Sequence, residues 1–198
     1  MECPIPGPVL RISVGRLRMA EPRLTDYREL LEAASFAARA HDGQMRKDGA
    51  TPYVSHVYRV CLIVRHVFGI ADARVLTAAL LHDTIEDTRV DFDDVEAHFG
   101  VEVAEWVALL SKDKRMAEAP REETYLAQLA RAPWQVQACK LADIYDNLMD
   151  SPTLPAERRP RAMARARQYL DGLRDHIAPE VKKPFALVAE LLAAVDRG

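Results

Sequence analysis

From residue 25 to the end of the chain, apolar side chains recur three and four positions apart and almost nowhere two apart. That periodicity restricts the chain to helices, because a strand would need alternation. Helices are predicted over 25–41, 54–68, from Asp72 through Val75, Ala79 and Leu80 into His82 and Asp83, then over 91–99, 101–111, from Pro120 onward, 134–150, 157–176 and 179–195. Asp26 and Glu29 form a capping-box-like start to the first, with Leu30, Ala33, Ala34 and Ala37 as its buried stripe. Gly43, Gly69 and Gly100 fall where helices should end, Asp72 where one should be capped, and Pro152 where the long helix must stop. The expected product is an all-α bundle of about eight or nine orthogonally packed helices.

Residues 1–23 break this pattern. They hold four of the twelve prolines, two glycines and several arginines, with no sustained period. They are expected to form a poorly ordered extension ahead of a single domain over 24–198. Their apolar stretches are too short for a signal peptide, and no apolar run approaches membrane-spanning length. Three scattered cysteines (Cys3, Cys61, Cys139) make neither a CxxC pair nor an even disulfide framework, so a reducing cytoplasm is expected. With a net charge of −3, the whole-molecule field does not favour nucleic acid, and an anionic substrate needs a local basic patch. The basic run ERRPRAMARAR (157–167) lacks interleaved aromatics and reads as a solvated helix face.

Four stretches concentrate the remaining polar residues: RKDGATPYVSH (46–56), HDTIED (82–87), SKDKR (111–115) and KLADIYDN (140–147). HDTIED follows the apolar run TAALL at the end of the third helix, where the spacing places His82 with Glu86 and Asp83 with Asp87 on shared faces. Three acids in six residues repel one another unless solvent or a cation separates them. This segment is either a solvated helix end or a divalent-metal site in which His82 and Asp83 are ligands and Glu86 and Asp87 transfer protons. In the long helix, Cys139, Asp143 and Asn147 lie four apart, beside the apolar stripe of Val136, Leu141 and Leu148. A mid-helix Asp in that setting needs a partner: Lys140, solvent or a metal. Cys139 reads as a small buried hydrophobe. His56 alone carries little weight, since a lone helical His is more often surface or satisfied core.

Taken together, His56, then His82-Asp83 after twenty-five residues, then Asp143 after fifty-nine, resemble the H…HD…D pattern of HD-domain phosphohydrolases. Two imidazoles and two carboxylates suit Mn²⁺, and also Fe²⁺, Co²⁺ or Zn²⁺, better than Ca²⁺ or Mg²⁺. The motifs HDGQMRKDGATPYVSH, LLHDTIED and KLADIYDNL are more specifically similar to the hydrolase domain of the RelA/SpoT proteins and the stand-alone small alarmone hydrolases. The resemblance implies the HD-domain bundle, metal ligands at His56, His82, Asp83 and Asp143, and a proton-transfer pair at Glu86 and Asp87. It places nucleotide contacts at Arg46, Lys47 and Asn147. It also implies Mn²⁺-dependent removal of the 3′-pyrophosphate from guanosine tetra- or pentaphosphate. Arg46 suits a stacked or bidentate contact and Lys47 a point charge. Three positions depart from the family pattern: Val57 replaces a Pro, and Ile144 and Met149 stand where basic residues are usual, removing positive charge near the phosphate path. Two rival functions remain, hydrolysis of another nucleotide (a nucleoside monophosphate or dinucleotide phosphate) and non-catalytic nucleotide sensing. Oligomeric state is not legible.

Overall fold

The computed structural model describes residues 24–197, and the expected extension over 1–23 lies outside the described residues. Among the described residues there is no strand. The helices are α1 (Leu24–Ala40), α2 (Val54–Leu62), α3 (Ala73–Leu81), α4 (Thr84–Asp87), α5 (Phe92–Phe99), α6 (Val101–Leu110), α7 (Glu118–Arg131), α8 (Trp134–Asp150), α9 (Arg159–Leu173) and α10 (Lys182–Val195). Nine of these run two turns or more and α4 is a single turn. No helix among the described residues is long and apolar enough to cross a membrane.

Local chemistry explains most of the boundaries. The Asp72 carboxylate accepts the Arg74 N–H and starts α3, while Asp91 and Asp94 make a reciprocal capping box ahead of α5. Gly100, at φ +83°, separates α5 from α6 in a backbone conformation that L side chains rarely adopt. Other boundaries differ from expectation. α1 begins at Leu24, so Asp26 lies inside the helix and not at its cap. The helix expected over 54–68 changes character after Leu62 into a π-helical turn, Ile63–Val67, where the Phe68 N–H reaches back to the Ile63 carbonyl.

α3 and α8 form the centre. Every residue of α3 from Val75 to Leu81 is buried, and α3 packs against α1, α2, α6 and α8. In α8, Val136, Ala138, Leu141 and Ala142 are fully buried. Trimming a fully buried Leu such as Leu141 to Ala costs about 2–5 kcal/mol in a packed core. His82 and Asp83 follow the end of α3 and Asp143 lies midway along α8, so the most deeply buried helices of the fold position them. The loop between α1 and α2 is also fixed: Met45 and Pro52 form an isolated antiparallel bridge, and the Asp48 carboxylate accepts the Ala50 and Thr51 N–H groups and the Thr51 hydroxyl.

Candidate active site

The backbone breaks at HDTIED. α3 ends at Leu81, where the Thr84 hydroxyl donates to the Leu81 carbonyl at 2.7 Å. Asp83 then sits at φ −104°, ψ −1° before α4 begins. The expected continuous helix face shared by His82 and Glu86 therefore does not form. In its place the turn directs His82 inward. Its Nδ1 lies 2.9 Å from the Ala79 carbonyl, which accepts only from an Nδ1–H. Nε2 is left buried without a hydrogen-bond partner; it is 3.1 Å from Asp83 Oδ2, but off hydrogen-bond geometry.

His56, in the first turn of α2, meets this group from the other side. Its Nε2 is 3.3 Å from Asp143 Oδ1 and 3.6 Å from Asp83 Oδ2, and its ring centre is 5.2 Å from that of His82. Ligand atoms of His56, His82 and Asp143 all lie within 4.8 Å of one another. Tyr53, one turn before His56, donates its hydroxyl to Asp83 Oδ2 at 2.5 Å. All four residues singled out by the H…HD…D spacing thus converge.

The electrostatics of the cluster fit a bound cation. Burial alone would raise the Asp83 carboxyl, but His82 outweighs it and holds Asp83 below the usual carboxylate range. Burial likewise opposes ionised Asp143, and the Lys140 ammonium, 2.8 Å from its Oδ2, pulls it well down. Burial would lower His82, yet Asp83 and Asp143 lift it to about 9. Two partly buried carboxylates held ionised side by side call for positive charge between them, which imidazole protons or a dication can supply. With an orphaned imidazole nitrogen aimed into an N/O donor set, the residues present fit a divalent transition metal.

Around the cluster lies a cleft of about 530 Å³ whose lining includes Arg46, Lys47, Lys112, Lys140, Arg165 and Tyr169. Glu86 faces it, accepting the Lys112 N–H at 3.0 Å, and burial chiefly raises its pKa. Asp87 pairs with the Lys114 ammonium, and its Oδ2 lies 3.4 Å from the Tyr53 hydroxyl. Asn147 donates to Asp143 Oδ1 at 2.6 Å and accepts from Arg46 at 3.2 Å. Lys47 is exposed in the loop, and partial desolvation, with Arg46 and Arg165 as cationic neighbours, lowers its pKa.

Several participants escaped the sequence reading. Asp146 and Arg59, three residues beyond Asp143 and His56, meet each other across α2 and α8. The spacing of three from His56 and from Asp143 is the available signal, but pairing between distant helices is not written in it. Lys140 appeared only as a partner for Asp143, and it also lies 4.4 Å from the Tyr169 ring centre. Arg165 belongs to the run read as solvated. Arg161 conforms to that reading, 76% exposed at its side chain, whereas Arg165 turns toward the cleft.

A sequence model of the HD domain matches residues 33–170. The chain is 45% identical over 123 residues to guanosine-3′,5′-bis(diphosphate) 3′-pyrophosphohydrolase MESH1 of Homo sapiens, covering 62% of this chain and 69% of that protein. It is 38% identical over 152 residues to the protein of the same name in Drosophila melanogaster, covering 74% and 85%. Among solved structures, a metazoan orthologue of SpoT described as hydrolysing ppGpp superposes with a TM-score of 0.74 at 32% identity, over 90% of this chain and 97% of that one.

Proposed function

The chain belongs to the HD-domain family, and on that premise we propose that it hydrolyses guanosine tetra- and pentaphosphate to release the 3′-pyrophosphate, using Mn²⁺. The observation that carries this reading is the buried donor set, in which His82 Nε2 has no hydrogen-bond partner and lies beside His56 and Asp143. The names of the relatives supply the substrate. His56, His82, Asp83 and Asp143 would hold the ion, and when bound it polarises a water and a phosphoryl oxygen.

The chain's own residues do the rest. Glu86, kept basic by its burial, takes the proton of the attacking water as the new O–P bond forms. The 3′ O–P bond breaks and the leaving 3′ oxygen takes up a proton from solvent, giving pyrophosphate and GDP from the tetraphosphate or GTP from the pentaphosphate. Asp87 and Lys114 sit beside it as a paired acid and base that can pass the proton outward. Arg46, Lys47 and Asn147 hold the nucleotide, with the Arg46 guanidinium also packed over Tyr53. Lys112 and Lys140, 5.0 Å and 5.3 Å from the Tyr125 ring centre, place two half-buried to buried cations on the cleft wall. They replace some of the positive charge that Ile144 and Met149 lack.

Anaerobic metal analysis joined to product identification tests the reading. The expected result is roughly one divalent ion per chain with pyrophosphate and GDP as products of the tetraphosphate. Orthophosphate as the product, or no turnover with Mn²⁺ present, would overturn it.

A further inference from the structure

His56 offers the cluster only one of its two ring nitrogens. The other, Nδ1, lies 2.6 Å from Asp146 Oδ2, and that carboxylate is buried, with 3% of its side chain exposed. Arg59 grips it from the opposite side: Nε to Oδ1 at 2.7 Å and Nη2 to Oδ2 at 2.9 Å, a bidentate fork. The same Nη2 also donates to Asp150 Oδ2 at 2.6 Å. The geometry points to Asp146 as a positioning residue for the metal centre: its carboxylate, fixed by Arg59, holds His56 in the tautomer and orientation that aim Nε2 at Asp83 and Asp143. This inference rests on the metal-dependent reading above.

A carboxylate that receives the Arg59 fork on both oxygens is an acceptor, so the proton on the shared contact belongs to His56 Nδ1. In the neutral imidazole the Nε2 lone pair is then free and directed into the cluster. A salt bridge that merely stapled α2 to α8 would need only the Arg59 contacts; the 2.6 Å approach of the ring gives Asp146 a second duty. The charge balance suits that duty. An unpaired third carboxylate behind the cluster would be costly to bury, and the Arg59 guanidinium offsets its charge. The two imidazoles are therefore held differently. His82 leans on the neutral Ala79 carbonyl, whereas His56 leans on an anion, which strengthens it as a ligand.

The test is Mn²⁺ titration calorimetry on chelator-stripped protein. Asp146→Ala should weaken binding about 10–100-fold, the usual consequence of removing an outer-shell carboxylate, while far-ultraviolet circular dichroism in chelator stays that of the wild type. Asp146→Asn keeps an acceptor oxygen of the same reach and should recover part of the affinity. In protein loaded with Zn²⁺ as a diamagnetic probe, the His56 Nδ1 proton should resonate far downfield and move upfield in the Asn variant. If the Ala variant does not fold, this shift decides the matter. Equal Mn²⁺ affinity in the folded variants and the wild type, or an unmoved His56 proton, would overturn the assignment and leave the function intact. A wild type that binds no divalent ion would overturn both.

Discussion

Arg46 reaches from the α1–α2 loop to the last turn of α8, where its Nη2 lies 2.7 Å from Asp150 Oδ2. The guanidinium is held in place from several sides: Asn147 Oδ1 accepts from the same nitrogen, Tyr53 packs beneath it, and only 12% of its side chain is exposed. Asp150 in turn bridges to Arg59, so the α1–α2 loop and the His56 side of the His/Asp cluster share one network of ion pairs. Arg46 is thus a pre-positioned loop cation, and pre-positioning lowers the ordering cost of binding.

Arg46→Ala should accordingly raise KM about tenfold or more, an affinity loss of about 1.4 kcal/mol per factor of ten, with kcat changed by only a few-fold. Because the group is mostly shielded, raising ionic strength within the physiological range should weaken nucleotide binding less than it would for a fully exposed contact. Steady-state kinetics at two salt concentrations measures both. A fall in kcat at constant KM would show that Arg46 acts on the reacting centre.

Glu86→Gln should separate binding from chemistry. The amide preserves the shape, and its single oxygen can still accept the Lys112 N–H, but it cannot take a proton. Metal content should persist while kcat falls by about 10²-fold or more. Loss of the metal would instead identify Glu86 as a ligand.

The pH profile should carry the same signature. Burial raises the Glu86 pKa, with Asp83 and Asp87 adding to the rise and the Lys112 N–H and charge opposing it. As pH falls, a raised carboxylate takes up its proton early, so the basic form is lost above the ordinary glutamate range. The acidic limb of kcat/KM should therefore lie above that range and vanish from the residual activity of Glu86→Gln. An acidic limb that is unchanged in the variant would assign it to another group.

How much of this the sequence reveals depends on whether a feature is local. The Asp72 cap, the Asp91 start and the 134–150 helix follow from residues within a few positions of one another, and they form as expected. His56, His82, Asp83 and Asp143 are legible because the order and spacing of the motif encode a convergence that no single residue displays. The break at His82-Asp83 was missed because it depends on the Thr84 hydroxyl competing for the Leu81 carbonyl, which helical periodicity does not register. Asp146 and Arg59 were missed for a different reason. Each alone is an ordinary charged residue, and their value arises only when α2 and α8 are packed together.

Removing the metal should be visible as lost stability. An ion that binds the folded chain alone contributes about 2.7 kcal/mol when its free concentration is 100 times Kd. For a chain of this length each 1 kcal/mol moves Tm by about 2–4 °C, so chelation should lower the wild-type Tm by roughly 5–10 °C. On the proposed ligand set the effect requires every donor, because Asp83 and Asp143 would supply the anions that attract the ion and His56 and His82 would complete its shell. In Asp83→Ala, tight binding and hydrolysis should both disappear, and with them the difference between melts recorded with Mn²⁺ and with chelator. His56→Ala should behave alike, and it is the more searching variant because His56 has the least local support in the sequence. The comparison is internal to each variant, which cancels whatever the substitution itself costs the core. A chelator-sensitive shift of wild-type size in either variant would remove that residue from the ligand set.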